Sequence, residues 1–171
     1  MKAACPTAMT MPKAQWPLKF QAREQLPQKL TQLPRPWVFT NGVFDLLHRG
    51  HVTYLDQARR LGASLIVALN SDASARQLGK GPSRPINNEC DRAWVVAALE
   101  SVSLVTLFDE LTPVQLLSEI KPDWYVKGGD YDMAQLEETR LVQTWGGQSL
   151  AIEYLPGQSS SQVIARIQAG A

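Results

Sequence analysis

Between Trp37 and Asn70 the chain passes from a short apolar run, through a glycine-bearing loop and an amphipathic stretch, into a second apolar run, and that order leaves few folds open. Trp37-Val38-Phe39 reads as a buried strand and Asn41-Gly42 as the turn that leaves it. Val52 to Leu61 reads as a helix with Leu55, Ala58 and Leu61 on one side, and Ser64 to Leu69 as a continuous apolar strand ending at Asn70-Ser71-Asp72. This is a βαβ unit. The alternation continues with a helix over Asp91 to Glu100, a strand over Leu104 to Phe108, and a helix over Thr112 to Ile120 with Pro113 in its first turn. A strand at Trp124-Tyr125-Val126, a helix over Leu136 to Trp145, a strand over Ala151 to Leu155 and a closing helix over Gln162 to Ile167 complete the series. Such alternation argues an α/β protein built on a doubly wound parallel sheet. Residues 1–35 read as a tail and a packing helix, with Leu26, Leu30 and Leu33 on one face of Gln21 to Leu33, and residues 36–171 as the domain proper.

At 171 residues with 44% hydrophobic content, the chain suits one well-cored domain, and a net charge of +1 argues against a broad nucleic-acid or membrane footprint. Small-molecule chemistry is the expectation. Cys5 and Cys90 lie far apart without ligand spacing, so neither a disulfide framework nor a zinc knuckle is suggested. No stretch has the apolar length of an export signal or a membrane span, which places the protein in the cytoplasm.

The only two histidines, His48 and His51, stand one helical turn apart just past the first strand, where they would share a helix face. At a helix start the unpaired amides and the macrodipole favour anions, and Gly50, lacking a Cβ, would let a phosphate approach the backbone. Two imidazoles added there make a phosphate clamp. With no third ligand nearby they lack the set for zinc, and no metal site is assigned to protein side chains. In doubly wound sheets ligands sit beyond the carboxyl ends of the strands, where strand order reverses. Thr40-Asn41-Gly42, Asn70-Ser71-Asp72, Lys127-Gly128-Gly129-Asp130-Tyr131 and Pro156 to Ser161 all follow predicted strands and should converge on that rim. Asp45 and Asp72 read equally well as helix caps, Phe44 as core packing, and Ser159 to Ser161 as a plain N-cap or as a second anion site. Arg92 could touch phosphate, a partner subunit or only solvent. Gly79-Lys80 fails the P-loop spacing, and no Gly-x-Gly-x-x-Gly follows the first strand, which disfavours a dinucleotide-binding dehydrogenase.

The run Gly42-Val43-Phe44-Asp45-Leu46-Leu47-His48-Arg49-Gly50-His51 matches Gly-x-Phe-Asp-x-x-His-x-Gly-His at every defined position, and on it the chain resembles the His-x-Gly-His nucleotidyltransferase superfamily, the cytidylyltransferase-like proteins. Thr40-Asn41-Gly42, Lys80 to Asn87, Lys127 to Tyr131 and Ser159-Ser160-Ser161 extend the likeness, over about residues 37 to 168, to the adenylyltransferases that make ADP-heptose from D-glycero-β-D-manno-heptose 1-phosphate for lipopolysaccharide core assembly. The resemblance implies a Rossmann-like, three-layer α/β/α fold, ATP and a sugar 1-phosphate as substrates, Mg²⁺ with the ATP, and a homodimer. Many relatives carry a fused sugar kinase, so a separate heptose kinase is the expected supplier of substrate. It further implies His48, His51 and Lys80 as catalytic residues and Arg84 on the sugar phosphate. Nucleotide contacts fall to Thr40, Asn41, Gly42, Phe44, Gly50, Asp72, Lys127, Gly128, Asp130 and Ser159 to Ser161. Ser160-Ser161 replace the commoner Thr-Thr and keep both hydroxyls, while the connection from Leu155 to Ser159 is shorter than in many relatives. The absence of an Arg between Tyr154 and Ser161 leans toward ATP over CTP. A cytidylyltransferase acting on glycerol-3-phosphate and a non-catalytic nucleotide-binding protein are the alternatives.

Overall fold

The computed structural model describes residues 16–79, 81, 83–153 and 159–170. Five strands, β1 (Trp37–Gly42), β2 (Ser64–Asn70), β3 (Leu104–Phe108), β4 (Trp124–Gly128) and β5 (Gln148–Ile152), form one sheet in the order β3-β2-β1-β4-β5. Every pairing is parallel. After β2 and β3 extend the sheet to one side of β1, the chain crosses back to lay β4 and β5 on the other. The reversal of strand order therefore falls between β1 and β4, as expected of a doubly wound sheet.

Side-chain alternation along the strands divides the core. Val38, Leu65, Val67, Leu69 and Val126 face α2 (Arg49–Arg59) and α4 (Glu89–Ala97). Phe39, Ile66, Ala68 and Tyr125 face the other way, where Leu26, Leu30, Leu117 and Val142 come from α1 (Leu26–Leu30), α5 (Val114–Ile120) and α6 (Glu137–Gln143). β2 is buried at all seven positions, which is why it reads as an unbroken apolar run with no polar alternation. The three-layer α/β/α arrangement follows.

Several elements depart from the sequence expectation for physical reasons. Asn41 and Gly42 are still strand, paired with Ala68 and Leu69, so the first turn begins at Val43. The single helix expected over Gln21 to Leu33 is a 3-10 turn, Arg23–Gln25, followed by α1, because Pro27 has no N–H and is tolerated only in a first turn. Leu26 and Leu30 are buried as their spacing required. The last strand starts three residues earlier than Ala151, directly after the Gly146-Gly147 turn, where Gln148 N–H already bonds to Asp123 C=O. The helix α3 (Asp72–Gln77) has no apolar stripe in its sequence; it is set by Ser71, whose hydroxyl accepts from Ser74 N–H as an N-cap. The closing helix α7 runs Ser160–Gln168.

Candidate active site

At the carboxyl ends of the strands, across the β1/β4 reversal, lies a cleft of about 500 Å³. One wall is built by the loop after β1 and the starts of α2 and α7. His48 is the N-cap of α2, with extended backbone, and its Nδ1 accepts the Gly50 N–H at 3.1 Å. An accepting Nδ1 carries no proton, so the proton of the neutral ring sits on Nε2. Burial holds the His48 imidazole below the ordinary histidine value of 6.5, which favours the same neutral tautomer. The His51 ring lies 4.0 Å from it, centroid to centroid, and the Phe44 ring 5.4 Å from His51. Both histidines line the cleft, as does Phe44, which adopts φ 49 and also packs into the core. Gly42 leaves room for this ring: a Cβ there would stand 3.1 Å from Phe44.

Beside the histidines, on the same wall, is the start of α7. Ser159 caps it by accepting the Gln162 N–H, Ser160 Oγ donates to Leu46 C=O and so ties the helix to the loop after β1, and all three serines line the cleft. The N-cap and anion-site readings are compatible here, since the cap geometry leaves the first-turn amides directed outward.

The opposite wall belongs to β4 and α6. Asn41 Oδ1 accepts from Lys127 Nζ at 3.0 Å and from Tyr125 O–H at 3.4 Å. Gly128, Tyr131 and Glu138 continue this wall, with Leu111 and Pro113 beyond them. Burial, with the Glu138 carboxylate as a second cause, raises the Tyr125 phenol far above its usual value, leaving it a neutral donor.

Arg84 lines the cleft with its Nε held by Asp45 Oδ2 at 2.8 Å. Asp45 is not a helix cap. Its buried carboxylate accepts from Arg84 and from the amides of Ile86 and Asn87, fastening the segment before α4 to the loop after β1. Burial alone would raise this carboxyl, but the two amides and the guanidinium outweigh it and hold it below the usual range. Arg92, read from sequence as a phosphate, partner or surface residue, has a side chain with 0% exposure and donates to Asn87, Val43 and Asn70 carbonyls and to Asp72 Oδ1. Neither the phosphate nor the surface reading fits a guanidinium so enclosed.

Four expected contact residues sit elsewhere. Asp72 is held by Arg92 and is not part of the cleft wall. Gly50 is buried and gives its amide to His48 in place of a phosphate. Thr40 is fully buried beneath the site, its hydroxyl bonded to Tyr54. Asp130 is exposed and stands outside the lining. Lys80 lies outside the described residues. Tyr131 lines the cleft as the Lys127 to Tyr131 segment led one to expect, whereas Glu138 and Tyr54 were not singled out from sequence. Glu138 looks like one more charged residue on an amphipathic helix, and only the position of α6 against β4 brings it to the cleft.

A family model described as cytidylyltransferase-like matches residues 39–166, which includes both walls of the cleft. The chain belongs to the cytidylyltransferase-like family. Among its relatives it is 57% identical over 139 residues to D-beta-D-heptose 1-phosphate adenylyltransferase of Bordetella bronchiseptica, covering 81% of this chain and 86% of that protein. It is 52% identical over 130 residues to the bifunctional protein HldE of Methylobacillus flagellatus, covering 76% of this chain but only 26% of that longer protein. Among solved structures, a lipopolysaccharide core biosynthesis protein from Thermoplasma volcanium superposes with a TM-score of 0.58 at 30% identity, covering 70% of this chain and 95% of that one.

For this family member the cleft offers imidazole N–H, hydroxyl and amide donors on one wall and an Asn–Lys–Glu group on the other. Among the described residues no three His, Cys, Asp or Glu side chains cluster to cage a metal ion.

Proposed function

We propose that the chain transfers an adenylyl group from ATP to D-glycero-β-D-manno-heptose 1-phosphate, giving ADP-heptose and pyrophosphate for lipopolysaccharide core assembly. The observation that carries this reading is the 57% identity, over most of both chains, to an adenylyltransferase named for that sugar phosphate. A sugar-phosphate oxygen attacks the α-phosphorus; the bond from that phosphorus to the α,β-bridging oxygen breaks, and pyrophosphate departs with the electron pair. A phosphate oxygen is already a nucleophile at neutral pH, so the site needs donors and positioning rather than a general base.

The side chains supply those donors. Neutral His48, with Nδ1 committed to Gly50, presents Nε2–H, and His51 stands beside it, so both would donate to triphosphate oxygens as charge builds on them. The α7 start with Ser159 to Ser161 would receive the β- and γ-phosphates, while Asn41, Gly42, Lys127 and Gly128 line the floor where the α-phosphorus would sit. Arg84, anchored by Asp45, would neutralise the sugar phosphate, and Lys80, by its place in the sequence, would follow the moving charge. Mg²⁺ arriving on the triphosphate would neutralise charge there, and no protein side chain is assigned to hold it. A cytoplasmic setting, a homodimer and a separate kinase as substrate source remain part of this proposal.

The test is pyrophosphate release from purified protein with Mg²⁺, either ATP or CTP, and a panel of sugar 1-phosphates and glycerol-3-phosphate. Turnover with ATP and heptose 1-phosphate is expected. Turnover confined to CTP with glycerol-3-phosphate would replace this reading with the alternative, and nucleotide binding without any turnover would remove the enzyme.

A further inference from the structure

The cleft wall contains two carboxylates among the described residues, and they are in opposite situations. Asp45 is saturated by a guanidinium and two amides. Glu138 is only 8% exposed, yet among the described residues no lysine or arginine forms a salt bridge with it and no donor hydrogen-bonds to its side chain. A nearly buried carboxylate in a cleft suited to polyphosphate calls for ligand donors, and a phosphate oxygen offers none.

We propose that Glu138 reads the acceptor sugar by accepting hydrogen bonds from its hydroxyl groups. The assignment rests on the adenylyltransferase reading and adds the place and the residue by which the acceptor is chosen. In-line displacement puts the attacking oxygen opposite the leaving group. Both helix starts suited to hold the leaving pyrophosphate, α2 with its histidines and α7 with its serines, form one wall. The attacking sugar phosphate therefore enters over Asn41 and Lys127 with Arg84 on its phosphate, and its sugar ring extends away from the phosphorus toward Glu138 on α6.

The neighbours of Glu138 complete a polar set for hydroxyls. Tyr125 and Lys127 both donate to Asn41 Oδ1, which fixes the amide and leaves Asn41 Nδ2 as a donor without a partner among the described residues. Asn41 thus supplies a donor and Glu138 an acceptor, matching a hydroxyl that can both accept and donate. Leu111 and Pro113 at the far end of the wall suit the carbon face of a sugar ring.

Calorimetry with the full chain tests this by comparing Glu138→Gln with wild type toward heptose 1-phosphate, inorganic phosphate and a non-hydrolysable ATP analogue. Affinity for heptose 1-phosphate should fall about tenfold to a hundredfold in the variant, the effect of losing a charged hydrogen-bond acceptor. Affinity for inorganic phosphate should stay or improve, because a repelling charge is gone, and the ATP analogue should bind as before. A misfolded variant would lose all three ligands, so retained phosphate and analogue binding separates recognition from damage. Wild-type protein that binds heptose 1-phosphate with an unaffected variant overturns this assignment alone. A fall confined to the ATP analogue also overturns it and moves Glu138 to the nucleoside. Wild-type protein that does not bind heptose 1-phosphate overturns the proposed function, and this assignment with it.

Discussion

The cap that one ring nitrogen of His48 supplies and the donor role proposed for the other can be separated by substitution. Nδ1 replaces the Ser, Thr, Asp or Asn oxygen that usually caps a helix, while Nε2–H is the proposed phosphate donor of a ring that lines the cleft. Asparagine can supply the cap without the ring. His48→Asn should keep stability within about 0.5 kcal/mol of wild type and lose about a hundredfold or more in turnover, whereas His48→Ala should lose the same turnover and about 1 kcal/mol of stability besides. Urea denaturation and pyrophosphate release measure the two quantities; a His48→Asn enzyme at full speed would reduce the ring to a cap. The pH dependence has a definite sign. Burial lowers the folded-state value below 6.5, so between the two values the unfolded chain binds more protons and stability rises with pH. The His48 contribution is complete above 6.5 and is lost as pH falls through 6.5 toward the lower folded value, where protonated Nδ1 can no longer accept from Gly50. Thermal melts from pH 8 to 5 should show this loss in wild type, and a smaller one in His48→Asn.

At the scale of elements, the site is held by one buried side chain that joins three segments. Arg92 on α4 reaches the carbonyls of Val43 after β1, Asn70 at the end of β2 and Asn87 before α4, and pairs with Asp72 at the start of α3. Arg92→Leu would leave these carbonyls without their donor and Asp72 with only the longer 4.0 Å contact to Arg76, at a cost of about 3 to 5 kcal/mol. Arg92→Lys should recover little, because one ammonium cannot span four acceptors set in a fork. Denaturation midpoints of the two variants check this, and near-complete rescue by lysine would show that charge alone matters. The same residue marks the limit of what the sequence discloses. Strands and most helices were legible because burial imprints an apolar period on contiguous residues, and the His48–His51 wall because its donors fall within a few positions. The Arg92 contacts to Val43 and Asn70, and the grip of Asp45 on Ile86 and Asn87, join residues 22 to 49 positions apart, and no period records such a pairing. The same holds for Glu138, while α3 was missed because a capping serine, and no apolar stripe, defines it.

For the whole molecule, the consequence of an open sheet is two edges, and the chain covers the β3 edge with its own N-terminal segment. Phe20 bridges Val105 in parallel, Gln21 N–H donates to Val105 C=O at 2.9 Å, and Lys19 Nζ donates to Leu99 C=O. Arg23 then forks between Glu110, just past β3, and Glu119 on α5, at 2.6 and 2.7 Å. Edge strands left bare offer unpaired amides and carbonyls to other chains. Removing residues 1–25 would uncover β3 while keeping Leu26 and Leu30 to fill the core, and none of the described residues 16–25 lines the cleft at the carboxyl ends of β1 and β4. The truncated chain should therefore melt at a lower temperature and form larger, concentration-dependent species in light scattering, while its folded fraction still binds an ATP analogue. An unchanged melting point and particle size would mean that the segment merely rests on the edge; loss of analogue binding in a folded monomer would mean that the edge and the cleft are coupled through β2.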